Sequence, residues 1–247
     1  MFKIFLYLLA FFMPLCIVAQ PLPVLKVVSE EWLGYTNADG TGTYWDIIRA
    51  VYGKHYQIEL IATTWSRALN LVETARADIL VGSYKDTSRK LIYPKYHLDL
   101  EYPLYALFDK TIHNINEMND LAGLYIAGNK DYGLEKLLPS SSHFYGVPYI
   151  DNVVNLIDKK RIDVAISYRS NLSLADPENR YSHKAIGKEQ RLYLAFSQSA
   201  KGEQLRKRYE QDIIILIAND ELKQYFPNKL EYQHAQLDSL LALPPLK

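Results

Sequence analysis

Two segments of the chain share one residue pattern. The sequence R-A-D-I-L-V-G-S-Y occupies 76–84, and R-I-D-V-A-I-S-Y occupies 161–168. Each follows a predicted helix, contains a short apolar run typical of a buried strand, and ends in Ser-Tyr. Because ligands of open α/β sheets bind beyond the carboxyl ends of the strands, the repetition predicts two similar lobes facing a cleft, with Ser83, Tyr84 and Tyr168 at its edge. Chance similarity of two parallel strands is the alternative.

The residues around the first segment alternate between predicted strands and helices. The predicted order is strand 24–28, helix 46–55, strand 57–62, a helix that Ser66 caps, and strand 78–81. A β-α-β-α-β order indicates a parallel sheet with crossover helices. The first lobe is therefore expected to be an α/β layer structure.

The second half of the chain repeats this alternation. The predicted order is strand 123–127, helix 131–138, a helix around 153–157, strand 162–166, and a strand over 191–196 that returns to the first lobe. We expect an α/β clamp whose first lobe comprises 20–107 and 195–247 and whose second lobe comprises 108–194. Each lobe is expected to be a mostly parallel sheet flanked by helices.

Residues 1–19 have the pattern of a secretory signal peptide. Lys3 precedes an apolar run over 4–18, and Ala19 is a small residue at the cleavage position. The run is shorter than the roughly 20 residues that cross a bilayer, which disfavours a membrane anchor. The residue before Cys16 is not small, which disfavours a lipidated cysteine. Cleavage after Ala19 would leave a periplasmic protein without any thiol, and hence without a disulfide or a cysteine ligand.

Charge and motifs argue against several function classes. Lys+Arg 28 and Asp+Glu 28 balance, and no basic run is present, so we expect no nucleic-acid partner. No two histidines lie three or four residues apart, so no helix presents a zinc-binding pair. A G-x-S-x-G nucleophile elbow and a phosphate-binding loop are also absent from the sequence. We therefore predict no catalytic residues, no metal site and no cofactor.

Residues near the predicted strand ends are candidates for ligand binding. Trp32 and Tyr35 follow the first strand, and Trp65 lies at the next strand-to-helix junction. A tyrosine ring combines an apolar face with a polar tip, which suits carbohydrate, amino-acid or aromatic ligands. Arg89 follows the strand that ends in Ser83 and Tyr84, and arginine can bind a carboxylate through two parallel hydrogen bonds. Ordinary packing of the aromatic rings and a solvated position for Arg89 are the alternatives.

Four segments resemble family 3 of the bacterial extracellular solute-binding proteins, which includes polar amino-acid receptors of ABC importers. They are WLGY at 32–35, GTYWDIIRAVYG at 42–53, the stretch 65–84 with TSRK at 87–90, and NDLAGLYIAG at 119–128. The resemblance extends over 24–226. It implies two lobes joined by two crossing hinge strands, with the ligand between them. It also implies that Arg89 binds the ligand α-carboxylate.

The chain departs from the family pattern at the ligand site. Tyr84 and Asp86 stand where the family usually has Ser or Thr, and Tyr168 stands where amino-acid receptors keep an Asp for the ligand ammonium group. An unpaired ammonium group in a closed cleft is costly. We therefore expect a small polar, anionic or aromatic ligand rather than an ordinary amino acid. Asp131 and Tyr132, near the start of the second lobe's first helix, are expected to close over it.

These features lead to one main functional hypothesis and two alternatives. The main one is a monomeric periplasmic protein that binds a small molecule by hinge closure and delivers it to a membrane permease of the ABC type. An enzyme resembling cyclohexadienyl dehydratases, which use the same fold, is the second hypothesis; it requires a cleft carboxylate or histidine with a shifted pKa. A ligand-sensing subunit that signals through a membrane partner is the third.

Overall fold

The computed structural model describes residues 21–130 and 132–243 of the chain. The expected signal peptide at 1–19 and the candidate residue Asp131 lie outside the described residues. No helix in the described ranges is long and apolar enough to cross a membrane.

The described residues form two sheets with helices packed around them. The strands are β1 (Val24–Ser29), β2 (Gln57–Ala62), β3 (Ile79–Ser83), β4 (Leu91–Ile92), β5 (Asp99–Glu101), β6 (Tyr105–Phe108), β7 (Tyr125–Asn129), β8 (His143–Val147), β9 (Val164–Ser167), β10 (Ser182–Ala185) and β11 (Gln190–Ser197). The α-helices are α1 (Thr43–Tyr52), α2 (Trp65–Glu73), α3 (Val153–Asp158), α4 (Arg169–Ala175), α5 (Ala200–Ala218) and α6 (Lys229–His234). Short 3₁₀ helices span Met118–Leu121, Leu134–Leu137, Ile150–Asn152, Glu221–Tyr225 and Leu237–Ala242.

The two sheets have related topologies and confirm the expected two-lobed α/β class, although each sheet mixes parallel and antiparallel pairs where a mostly parallel sheet was expected. The first has the order β2-β1-β3-β11-β4, with β5 also paired to β11. The second has the order β10-β6-β9-β7-β8. In each sheet, one strand that carries the repeated sequence pattern lies between a parallel and an antiparallel neighbour: β3 lies between β1 and β11, and β9 lies between β7 and β6. The repeated pattern therefore marks equivalent strands of two similar lobes.

The aspartate of each repeat has the same structural role. The backbone N–H of Lys26 in β1 donates to Oδ2 of Asp78 at 2.9 Å, and the N–H of Tyr125 in β7 donates to Oδ2 of Asp163 at 2.8 Å. Each carboxylate thus satisfies a backbone donor of the neighbouring parallel strand. This shared bond explains why Asp recurs just before both strands.

The chain crosses between the sheets twice, through short connections. It leaves the first sheet at 102–104, between β5 and β6, and returns at 186–189, between β10 and β11. Both crossings lie a few residues before the boundaries that the sequence led us to expect. The first crossing lies earlier because Tyr105–Phe108 forms strand β6 of the second sheet, and the second lies earlier because β11 already begins at Gln190.

Several other elements differ in detail from the sequence-based expectation. The helix that Ser66 was expected to cap begins at Trp65, with Thr64 as its N-cap and no side-chain capping bond. Of the helix expected over 131–138, the described residues 132–138 contain the 3₁₀ turn Leu134–Leu137 and no α-helix. A helix that short has little intrinsic stability, and tertiary packing decides its form.

The core of the first lobe lies between its sheet and helices α1 and α5. Fully buried side chains there include Trp45, Tyr52, Phe196 and Tyr209. Burial of each large apolar side chain stabilises the fold by roughly 1.5–3 kcal/mol relative to exposure. The second lobe has its own buried clusters, centred on residues such as Ile126 and Ile166. Each lobe therefore has its own core, as two bodies joined by short connections require.

Candidate ligand-binding cleft

A small cavity lies between the two lobes, beside the carboxyl ends of β1, β3 and β9. Its volume is about 50 Å³, and it is lined by Glu30, Trp32, Trp65, Gly82, Tyr84, Glu101, Tyr132 and Tyr168. Tyr132 and Tyr168 belong to the second lobe, whereas the other lining residues precede the first crossing. Since a cavity needs about 10–15 Å³ to hold one water, this space accommodates about four water-sized groups.

The two lobes are joined across the cavity by a pair of tyrosines. The hydroxyl oxygens of Tyr84 and Tyr168 lie 2.6 Å apart. The Tyr84 hydroxyl also donates a short hydrogen bond to Oε2 of Glu101. Because Tyr84 has only one hydroxyl proton, Tyr168 is the donor in the bond between the two tyrosines. A chain of hydrogen bonds therefore runs from the second lobe to the carboxylate of Glu101.

Glu101 titrates near neutral pH in this environment. Burial raises the pKa of Glu101 to about 7, although the hydrogen bond from Tyr84 and the nearby hydroxyl of Tyr168, whose one proton is shared between Tyr84 and Glu101, oppose the rise. Burial, together with the charge of Glu101, raises the pKa of both tyrosines above its usual value. Both hydroxyl groups therefore remain protonated donors at neutral pH.

Glu30 is the second carboxylate in the cavity wall. It directly follows β1, and its Oε2 is buried with no hydrogen-bond partner among the described residues. Burial raises the pKa of Tyr132, and the charge of Glu30 and a side-chain hydrogen bond to the Glu30 carboxylate raise it further, so this hydroxyl also stays protonated and Oε2 is the oxygen of Glu30 left without a partner. An unpaired carboxylate oxygen in a closed site is costly. Glu30 therefore favours a ligand that brings a hydrogen-bond donor or a positive charge into the cavity.

Two tryptophans form the aromatic wall on the first-lobe side. The rings of Trp32 and Trp65 are nearly parallel, with centroids 6.4 Å apart and an interplanar angle of 17°. Trp32 rests against Gly82, where a Cβ atom would lie 2.6 Å from the indole ring. Gly82 also has φ +81°, a conformation that favours glycine. It is the extra residue of the first repeated segment, and it makes room for the indole.

The structure gathers five of the sequence-predicted binding residues around this one cavity: Trp32, Trp65, Tyr84, Tyr132 and Tyr168. Ser83 is buried beside it, and its hydroxyl donates to the backbone oxygen of Tyr84 at 3.0 Å. Tyr35 packs on Tyr44 instead, with ring centroids 4.8 Å apart. The part that any of these residues plays in ligand binding stays a prediction.

Arg89 does not line the cavity. Its guanidinium lies 3.4 Å from a carboxylate oxygen of Glu73 and 3.3 Å from one of Asp86. Both contacts are near the protein surface, since each side chain is about a quarter to a third exposed. The cavity wall contains two carboxylates and no basic side chain.

Sequence reasoning missed Glu30, Gly82 and Glu101. The sequence did contain a signal for Glu30, because this residue follows the first predicted strand in the same way that Tyr84 and Tyr168 follow theirs. Glu101 had none, because it ends a three-residue strand in a stretch without clear periodicity. Within 21–130 and 132–243, no group of three or more His, Cys, Asp or Glu side chains is arranged to hold a metal ion.

No protein-family model matches the chain, and no curated protein sequence matches it significantly. Solved structures do match it, at low sequence identity. An amino-acid ABC transporter substrate-binding protein from Streptococcus pneumoniae, bound to L-arginine, matches with a TM-score of 0.62 and 16% identity, over 82% of this chain and 92% of that one. A putative L-cystine ABC transporter protein from Listeria monocytogenes matches with a TM-score of 0.63 and 16% identity, over 88% and 98% of the two chains.

A third match comes from a different functional setting. A histidine kinase sensor domain with similarity to periplasmic binding proteins matches with a TM-score of 0.66 and 17% identity, over 83% of this chain and 94% of that one. At such identities the likeness concerns the fold. The chain has the two-lobed fold of the amino-acid ABC transporter substrate-binding proteins.

Proposed function

We propose that this protein is an exported solute-binding protein whose two lobes close on a small molecule. The observation that carries the proposal is the 2.6 Å contact between the hydroxyl oxygens of Tyr84 and Tyr168, across a cavity lined by both lobes. A ligand held there contacts both lobes only when they are closed. Its binding therefore favours the closed form over the open one.

Hinge rotation at the two crossings is the proposed motion. The connections at 102–104 and 186–189 are short, and each lobe has its own buried core. Such an arrangement permits rigid-body closure with changes confined to a few backbone angles. One neutral hydrogen bond contributes only about 1 kcal/mol, so the tyrosine pair can part when the ligand leaves.

The proposed partner of the closed protein is a membrane permease of the ABC type, to which it delivers the ligand. The structural likeness to amino-acid ABC substrate-binding proteins supports this assignment. The likeness to a histidine kinase sensor domain supports a ligand-sensing role as the alternative. Uptake of a radiolabelled ligand in a strain that lacks the gene separates the two, because uptake falls for a transport protein and is unchanged for a sensor.

Acid–base catalysis in the same cleft is a second candidate function. Glu101 favours it, because a carboxyl group with a pKa of about 7 is suited to proton transfer at neutral pH. Against it, every solved relative described above is a binding or sensing protein. NMR spectra of a bound compound before and after long incubation decide between them, because a binding protein returns the compound unchanged.

The test of the proposed function is a thermal-shift screen with matched variants. Amino acids, sugars, carboxylates and amines are screened against the wild-type protein and against Trp32→Ala and Leu33→Ala. Trp32 lines the cavity, whereas the adjacent Leu33 is 87% exposed. We expect a ligand whose stabilising shift is lost in Trp32→Ala and kept in Leu33→Ala. An equal shift in both variants would place binding outside the cleft and contradict the proposal.

A further inference from the structure

The cavity between the lobes has a chemical character that goes beyond small-molecule binding in general. Its polar groups are two carboxylates and three tyrosine hydroxyls, and its remaining walls are two indole rings and Gly82. None of the eight lining residues is basic. The wall therefore offers negative charge and aromatic faces, and it offers a ligand carboxylate or phosphate no cationic partner.

We propose that the cleft binds a small organic cation, such as a protonated amine, a quaternary ammonium ion or a guanidinium group, with Glu30 as its counter-ion. This inference deepens the proposed clamp function and rests on it. It also departs from the anionic ligand that Arg89 and the sequence pattern led us to expect.

The first argument is the unsatisfied oxygen of Glu30. Its Oε2 is buried and has no hydrogen-bond partner among the described residues. A buried carboxylate oxygen is stable only when a donor or a positive charge compensates for lost hydration. A protonated amine or a guanidinium group in the cavity supplies both, and a quaternary ammonium ion supplies the charge, whereas a ligand carboxylate supplies neither.

The second argument is the aromatic wall. Trp32 and Trp65 are nearly parallel, and both belong to the lining. The negative face of an indole attracts a cation within about 6 Å of the ring centroid, and tryptophan does so most strongly of the aromatic residues. Organic cations use this attraction well, because they are weakly hydrated and carry apolar surface.

Arg89, the residue that the sequence pattern suggested for a ligand carboxylate, is not available to the cavity. Arg89 is paired with Glu73 and Asp86 and takes no part in the cavity wall. Tyr168 stands across from Tyr84 and gives its hydroxyl proton to that residue. Arg89 is already paired, and a tyrosine carries no positive charge, so the cavity wall gives the carboxylate of an amino acid no cationic partner. The proposed ligand class is therefore a cation without a carboxylate.

The cavity size sets the scale of the group that it holds. About 50 Å³ suits a small head group on the scale of guanidinium or a small alkylammonium ion. We infer that the closed form encloses such a head group. A larger molecule would have to project from the cleft.

The test is isothermal titration calorimetry of the purified protein with guanidinium, dimethylammonium and tetramethylammonium, each as the chloride at up to about 10 mM. Urea serves as the neutral planar counterpart of guanidinium, and acetate serves as the small anion. We expect at least one cation to bind and neither urea nor acetate to do so. The comparison of guanidinium with urea needs no variant and does not depend on the folding of a mutant.

Glu30→Gln is the matched charge variant, and Glu31→Gln is its control, because Glu31 is exposed and outside the cavity wall. We expect Glu30→Gln to weaken cation binding at least about 30-fold, whereas Glu31→Gln changes it less than about 2-fold. Equal binding of cation and neutral counterpart, binding that Glu30→Gln leaves intact, or no binding of any of the three cations would overturn the ligand class. Trp32-dependent binding of acetate or a sugar would overturn it too, but would leave the clamp function standing.

Discussion

The hydroxyl groups of Tyr84 and Tyr168 meet at 2.6 Å, although they belong to different lobes. Tyr168→Phe removes the proton that Tyr168 donates to Tyr84. We expect the free energy of unfolding to fall by about 1 kcal/mol, and we expect the ligand-free protein to populate open forms more. Urea denaturation measures the first effect, and the radius of gyration from small-angle X-ray scattering measures the second.

Tyr145→Phe is the control for that experiment. Tyr145 lies in β8 of the second lobe and is 61% exposed. Loss of its hydroxyl should change neither stability nor the radius of gyration. If Tyr168→Phe behaves like Tyr145→Phe, the tyrosine pair does not hold the lobes together.

Gly82 determines the position of Trp32. In Gly82→Ala, the new Cβ would lie 2.6 Å from the indole ring, so the ring must move from the cavity wall. We expect a changed tryptophan fluorescence spectrum, a loss of stability of about 1–3 kcal/mol, and weaker ligand binding. Gly34→Ala is the matched control, because Gly34 has φ +83° and no atom within 4 Å of its Cβ position. If both variants lose the same stability and keep the same fluorescence, contact with Trp32 is not the reason for glycine at 82.

The stability of the protein should fall as pH rises through neutrality. The folded-state pKa of Glu101 is raised to about 7 and that of Asp99 to about 6, in both cases mainly by burial. Because a raised pKa means that the folded state holds the proton more tightly, this stabilisation is full below about pH 4 and is lost as pH rises through about 6 to 7. Melting temperatures between about pH 5 and pH 8 report the effect.

Glu101→Gln isolates the contribution of the cleft to that pH dependence. The amide is permanently neutral, so the variant should lose less stability than the wild type between about pH 5 and pH 7. The loss of stability that Asp99 causes should remain in this variant, and it should occur mostly below about pH 6.5. Glu59→Gln, at an exposed position in β2, is the control and should follow the wild type. A slope in Glu101→Gln as steep as that of the wild type would assign the pH effect to other groups.

Arg89→Ala tests whether Arg89 binds the ligand, as the sequence pattern suggested, or takes no part in binding, as its position outside the cavity wall indicates. Since Arg89 pairs with Glu73 and Asp86 outside the cavity wall, we expect ligand affinity to change less than about 2-fold. Titration calorimetry with a cleft ligand measures it, with Trp65→Ala as the positive control. An affinity loss above about 10-fold would bring Arg89 back into the site.

Much of the architecture could be predicted from the repeated strand pattern. The pattern predicted that Tyr84 and Tyr168 follow equivalent strands and face one cleft, and both now line the same cavity. This inference succeeded because strand ends are a local property, and because the two strands have equivalent neighbours in their sheets.

The chemistry of the cleft was less accessible from sequence. Glu101 reaches the cavity because β5 ends at the crossing between lobes, and that geometry depends on the pairing of β5 with β11, far along the chain. The direction of Arg89 depends on Glu73, a residue of the preceding helix. Such long-range partners leave no periodic signal in the sequence, so the sign of the charge in the cleft was open until the fold was known.

The most direct test of the clamp is the distance between the lobes with and without a cleft ligand. Nitroxide labels on cysteines at Lys54 and Lys159, exposed positions after α1 and α3, report it by double electron–electron resonance in a chain that begins at residue 20 and has no other cysteine. We expect a ligand from the thermal-shift screen to narrow a broad distance distribution to one short distance, and we expect Trp32→Ala to abolish this response. A ligand that binds but leaves the distance distribution unchanged would contradict the clamp function.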